Sequence, residues 1–108
     1  MEPETAEGEF LYLTTVGRRS GLPREIEIWF TRLNGRYYVI AEHGRRAGWV
    51  QNVRANATVH VRVAGATFTA TARLVDPADE LPLAEAVQTR SRAKYGWGAG
   101  LIVELEPS

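Results

Sequence analysis

The chain has 108 residues, of which thirteen are basic and thirteen acidic, so it carries no net charge to gather nucleic acid or an anionic membrane. It contains no cysteine, which excludes disulfides, thiolate catalysis and cysteine-ligated zinc or iron–sulfur centres, and its two histidines, His43 and His60, are too few for a histidine metal site unless carboxylates join them. The length fits one domain just large enough to close a single core, near the lower size of an enzyme.

Met1 to Gly8 is acidic and lacks an apolar run, which argues against a secretory signal. Residues 1–9 read as a tail ahead of a single domain at 10–108. Nowhere do apolar residues persist long enough to span a bilayer, and a soluble cytoplasmic protein is expected. Phe10 to Thr15, aromatic and β-branched and followed by glycine, reads as a first strand. Arg24 to Thr31 alternates, with Ile26, Ile28 and Phe30 on one face and Glu25, Glu27 and Trp29 on the other. Asn34-Gly35 then marks a hairpin, because both residues tolerate positive φ, and Arg36 to Glu42 returns as the third strand. A helix is expected from about Ala47 to Asn56. Thr58 to Val63 points Val59, Val61 and Val63 inward, Ala64-Gly65 turns, and Phe68, Ala70, Ala72 and Leu74 continue the inner face. A second helix is predicted from Asp76, as cap, with Pro77 in its first turn, to about Tyr95 before Gly96 and Gly98. Leu101 to Glu106 closes the chain as a short strand. Five or six short strands with two helices make a mainly β protein, a closed or partly split antiparallel barrel. Composition alone does not separate it from other small barrels.

Three elements follow in a fixed order between Leu13 and Asn56: a Gly17-Arg18-Arg19-Ser20-Gly21 turn leading to Pro23-Arg24, the Asn34-Gly35 hairpin, and a loop before Trp49, Asn52, Ala55 and Asn56. With Thr14 and Thr15 ahead of the turn, this order resembles the deazaflavin-dependent nitroreductase family of split-barrel oxidoreductases, over about two thirds of the chain. The resemblance implies a split β-barrel of the FMN-binding type.

A basic glycine turn offers backbone N–H groups and guanidinium charge together, the chemistry a phosphate needs. On the residues alone, a solvated turn whose arginines face water is the simpler account. The resemblance reverses this preference, since relatives use the turn for a cofactor's phosphate tail. It likewise implies that the Glu42 to Arg46 loop, with His43, Gly44, Arg45 and Arg46, meets the ring of a deazaflavin, and that the Trp49 and Asn52 helix lies against it. Core packing is the plain alternative for Trp49, and a backbone-bonded amide for Asn52. This loop is shorter than in relatives. The cofactor contacts to test are therefore Gly17, Arg18, Arg19, Ser20, Gly21, Pro23, Arg24, His43, Gly44, Arg45, Arg46, Trp49 and Asn52. No metal ligand set is present.

His43 is the one candidate proton donor, as a side chain that titrates near neutrality, although an exposed loop histidine is the plainer reading. His60 falls on the outer face. Glu25 and Glu27 share a strand face and fit a solvated or interfacial surface better than a paired-carboxylate site. Many relatives have small or proline residues there. Lys94, Tyr95 and Trp97 suit either a substrate rim or an interface.

The reading that follows is an oxidoreductase that binds reduced coenzyme F420 and transfers hydride to a small electron-poor acceptor such as a quinone, nitro compound or enone. The alternatives are an FMN-binding split-barrel reductase, a more distant oxidase of the pyridoxamine phosphate type, and a non-catalytic ligand-binding dimeric barrel. The arginine pairs Arg18-Arg19 and Arg45-Arg46 favour the longer, more anionic deazaflavin tail over FMN. A chain this short, with Phe10, Tyr12, Trp29, Tyr37, Tyr38 and Trp97 to accommodate, is expected to form a homodimer.

Overall fold

A computed structural model describes residues 9–108 of the chain. Seven strands, β1 (Phe10–Val16), β2 (Pro23–Trp29), β3 (Thr31–Leu33), β4 (Arg36–Ala41), β5 (Thr58–Val63), β6 (Ala66–Val75) and β7 (Leu101–Pro107), form one sheet in the order β2-β1-β5-β6-β7-β4-β3. Every ladder is antiparallel. Two helices complete the fold, α1 (Gly48–Ala55), preceded by a short 3-10 turn at Gly44–Arg46, and α2 (Leu81–Tyr95).

Alternation decides what the sheet encloses. Leu11 and Leu13, Val59 and Val61, Ala70 and Ala72, and Val103 and Leu105 all face inward and are buried, with Phe30 and Val39 among them. The sheet curls around this core, so that its edge strand β2 comes close to β4. No ladder joins the two among the described residues. The barrel is therefore split along that seam. A second core lies outside it, where α2 lays Ala84 and Val87 over Tyr38, Ile40, Val75 and Ile102. Helix α1 closes the barrel end near β1 with Val50 and Val53.

The two hairpins turn as expected, at Asn34 (φ 54°) with Gly35 (φ 78°), and at Ala64 (φ 49°) with Gly65 (φ 82°). Two boundaries differ from expectation. The strand predicted as Arg24 to Thr31 is two strands that break at Phe30, β2 pairing with β1 and β3 with β4, which raises the count to seven. The alternation runs to Phe30 and shifts by one residue there, Phe30 and Thr31 both being buried and Arg32 exposed. The second helix starts at Leu81 and not at Pro77. Asp76 caps a separate turn, its Oδ1 accepting from the Ala78 amide at 2.9 Å and its carbonyl from the Glu80 amide at 2.9 Å. A helix begun at Pro77 would carry Pro82 in its interior, where the missing N–H and the ring clash cost about 3 kcal/mol. Pro82 instead occupies the first turn. The helix ends as expected, Gly96 taking a left-handed conformation (φ 78°) with its N–H on the Arg92 carbonyl.

Candidate functional site

The turn between β1 and β2 is built by two backbone bonds, Gly17 N to the Leu22 carbonyl and Gly21 N to the Gly17 carbonyl, both 2.8 Å. A Cβ on Gly17 would lie 2.6 Å from Ser20 Oγ and 3.2 Å from the Leu22 carbonyl, so the turn needs glycine there. Ser20 Oγ accepts from the Leu22 amide at 3.1 Å. The Gly21 amide is thus committed inside the turn, which leaves the Arg19 and Ser20 amides, neither of which bonds to another backbone group among the described residues.

Asn52 on α1 fastens this turn to the helix. Its Oδ1 accepts from the Arg18 backbone amide at 3.1 Å and from Arg18 Nη1 at 3.0 Å, and its Nδ2 donates to Thr15 Oγ1 at 3.0 Å. Arg18 Nη1 also reaches the Gly48 carbonyl at 3.3 Å. Asn52 and Thr15 are buried. Arg18 and Asn52 are therefore brought together, but with both functions of the Asn52 amide spent on the protein. Thr15 is the partner that sequence reasoning did not assign, although it stands in the motif.

Arg19, Arg24, Arg45 and Arg46 are exposed, and none of them forms an ion pair among the described residues, whereas Arg36, Arg62 and Arg73 are paired with glutamates. The 3-10 turn holding Arg45 and Arg46 leads directly into α1, on which Arg18 rests, and the Gln51 amide donates to the Arg45 carbonyl. These four guanidinium groups thus lie on the turn, the start of β2 and the loop beside the start of α1.

Beside them the split opens into a cleft of about 690 Å³. Ile26, Ile28 and Trp29 of β2 form one side, and Ile40 and Ala41 of β4 the other. Glu42, His43, Ala47 and Trp49 continue that second side, and Phe10 and Trp97 complete the lining. All three tryptophans of the chain line this one cleft. Trp29 stacks on Tyr95 with ring centroids 4.4 Å apart and planes 4° off parallel, and Trp97 meets Trp29 edge-on at 6.4 Å. The paired glutamates part company: Glu25 is 3.3 Å from Arg62, while Glu27 accepts from the Tyr12 hydroxyl at 3.3 Å and borders the cleft. His43 lies at the cleft and His60 on the outer face, 3.5 Å from Thr69. Tyr37 packs inside the barrel against Phe30 and Phe68. No cluster of metal-ligating residues exists among the described residues.

Ile40 and Ala41 had no assigned role in the sequence and Phe10 only a place among the aromatics expected to favour a dimer, since only the sheet order carries them to the seam. Cofactor-sized space, an aromatic lining and free cations are the chemical content of the site.

Residues 3–99 match the model of the F420H(2)-dependent quinone reductase family. The F420H(2)-dependent quinone reductase Rv1261c of Mycobacterium tuberculosis strain H37Rv is 33% identical over 72 residues, covering 64% of this chain and 48% of that protein. The chain spans about half the length of the curated relatives it matches. Among solved structures, an F420-H2 dependent reductase (FDR-A) superposes with a TM-score of 0.64 at 24% identity, covering 90% of this chain and 93% of the other. A FAD-binding protein from Mesorhizobium loti gives a TM-score of 0.73 at 12% identity, covering 95% and 83%. These structural likenesses bear on the fold, and the match along nearly the whole sequence bears on descent: the chain belongs to the F420H(2)-dependent quinone reductase family.

Proposed function

We propose that this chain is a reductase that binds reduced coenzyme F420 across the turn and the cleft and delivers its reducing equivalents to a quinone. The observation that carries the reading is the adjacency of two unlike surfaces: an aromatic cleft large enough for a flat ring system, and guanidinium groups without carboxylate partners. The donor set fits the cofactor. Arg19, Arg24 and the Arg19 and Ser20 amides of the turn suit its phosphate, and Arg45 and Arg46 suit the acidic end of its tail. Pro23 and Gly44 shape the backbone on either side.

When bound, F420H2 is a two-electron donor that supplies hydride, and a quinone that takes up hydride and one proton leaves as the quinol. The chain's own residues do the rest. Asn52 holds Arg18 and the turn in place, Trp49 and the Glu42 to Arg46 loop border the ring, and Trp29 with Trp97 confronts the acceptor. The apolar lining excludes water from the reacting atoms. His43, which lines the cleft beside Glu42, is assigned the proton that the quinone oxygen receives.

The same reading includes self-association, with a second copy packing against the β2 edge of the cleft, where Phe10 and Trp29 remain exposed. The cofactor class is tested by titrating the purified protein with oxidised F420, FMN, FAD and haem and following the fluorescence of its three tryptophans. Quenching by F420 alone is the expected result. Quenching by FMN and not F420 would replace the cofactor, and indifference to all four would remove the reading.

A further inference from the structure

Where β2 ends, the chain must pass from one edge of the sheet to the other, since β2 and β3 stand at its two ends. Phe30 is 1% exposed and belongs to neither β2 nor β3, so its N–H and C=O lie outside both ladders and need partners elsewhere. Both partners come from the last turn of α2. The Phe30 amide donates to Tyr95 Oη at 3.1 Å, and the Phe30 carbonyl accepts from Lys94 Nζ at 2.9 Å. Tyr95 Oη also lies 2.5 Å from the Glu9 carbonyl and 2.9 Å from the Phe30 carbonyl. A phenol has one proton to give. The Glu9 and Phe30 carbonyls both lie within reach of that proton. One hydroxyl thus links the end of β2 to the start of β1.

Between those two anchor points stands a single rung of the β1–β2 ladder, Phe10 opposite Trp29, and both of these side chains line the cleft. The ring of Tyr95 fixes the plane of Trp29 by stacking, and Ser91 Oγ, one turn earlier, donates to the Trp97 carbonyl at 2.5 Å. The residue after Trp97 is held as closely: a Cβ on Gly98 would lie 2.8 Å from the Gln88 carbonyl. The end of α2 therefore sets three aromatic rings of the cleft wall.

We propose that Tyr95 is a positioning residue: its hydroxyl clamps the Phe10–Trp29 rung and its ring orients Trp29, so that a flat acceptor meets a wall already in place. The proposal rests on the reading of the cleft as the acceptor site. A wall fixed beforehand spares the bound complex the ordering of these side chains, and the benefit appears in acceptor affinity more than in the reaction step.

Tyr95→Phe keeps the stack and removes the hydroxyl. Amide hydrogen exchange at Phe30 should accelerate about tenfold or more, as the loss of one hydrogen bond implies, while Val61 and Val103 in the barrel core keep their protection. Quenching of tryptophan fluorescence by menadione, measured without cofactor, should weaken several-fold. In turnover the menadione KM should rise with kcat nearly constant, and the F420H2 dissociation constant should stay as it was. Trp29→Leu supplies the opposite dissociation, weak menadione binding with the Phe30 amide still protected.

Unchanged exchange at Phe30 in Tyr95→Phe would show that the hydroxyl holds nothing. Faster exchange with unchanged menadione binding and KM would reduce Tyr95 to a structural contact. Either result overturns the proposal while leaving F420 binding standing. A wild-type protein that binds F420 and no quinone would instead remove the acceptor reading beneath it.

Discussion

Asn52 shows how a residue near a ligand site can act without touching the ligand. Its amide accepts twice from Arg18 and donates to Thr15 in a buried setting, so Asn52→Ala strands the Arg18 backbone N–H and the Thr15 hydroxyl, at a cost of about 1–3 kcal/mol. Thermal unfolding should register that loss, and F420 affinity should fall with it because the turn is no longer fixed. Arg19→Ala is the contrasting case. Its side chain is exposed and makes no ion pair among the described residues, so stability should stay within about 0.5 kcal/mol while binding weakens by about 1.5–3 kcal/mol. Fluorescence titration of both variants checks the split. An Asn52→Ala protein as stable as wild type, or an Arg19→Ala protein that binds as tightly, would contradict the roles assigned here. The sequence placed Asn52 on the right face of the right helix. That its partners would be Thr15 and Arg18 depends on a contact spanning more than thirty residues, and no local pattern encodes it.

At the scale of elements, local chemistry made most of the fold legible. The Asn34-Gly35 and Ala64-Gly65 hairpins, the inward valines of β5 and the Gly96 stop are all determined by residues within a turn of where they act. The failures share a cause: at Phe30 and at Asp76 to Leu81 the outcome was set by competition, between two sheet partners in one case and two prolines in the other. The outer face of β4, β6 and β7 adds a polar device that was equally hidden. Glu104, 6% exposed, accepts from the Tyr38 hydroxyl at 2.9 Å and from Arg73 Nε at 3.2 Å, and Arg73 in turn pairs with Glu80 ahead of α2. Burial, and then the bond to Glu104, push the Tyr38 phenol up to about 12. Arg73 holds the Glu80 carboxyl below its ordinary value. A raised phenol stabilises the fold fully below its unfolded pKa of about 10 and loses that contribution as pH climbs toward 12. A lowered carboxyl does the reverse, contributing above the ordinary carboxylate range and failing as pH falls through it. Denaturation midpoints measured from pH 9 to 12 should therefore drop in wild type. Tyr38→Phe should start about 1 kcal/mol lower and show a shallower drop. Parallel alkaline profiles would mean that the Tyr38 phenol is not what is lost.

For the molecule as a whole, charge is arranged locally although its sum is zero. Arg19, Arg24, Arg45 and Arg46, which form no ion pair among the described residues, lie on the turn, the start of β2 and the loop beside α1, and the cleft opens along the seam next to them. Family likeness made the seam legible in outline, whereas its lining followed only from the strand order. That order leaves β2 as an edge strand ending in Trp29, 38% exposed, with Phe10 of β1 opposite it, 39% exposed, and both line the cleft. An exposed edge beside aromatic surface is the kind of feature a protein covers, and a second copy would both cover it and deepen the pocket. A standard interface would bury about 800 Å² on each partner. Nor does net charge oppose the pairing of two copies. Sedimentation velocity at low micromolar concentration should give a species of twice the 12.0 kDa chain mass. Addition of F420 should tighten that species if the partner contributes a wall to the occupied site, because a ligand that binds only the assembled form shifts assembly by mass action. A monomer that binds F420 with the same affinity at every protein concentration would mean that one chain furnishes the entire pocket, with Phe10 and Trp29 exposed for the acceptor alone.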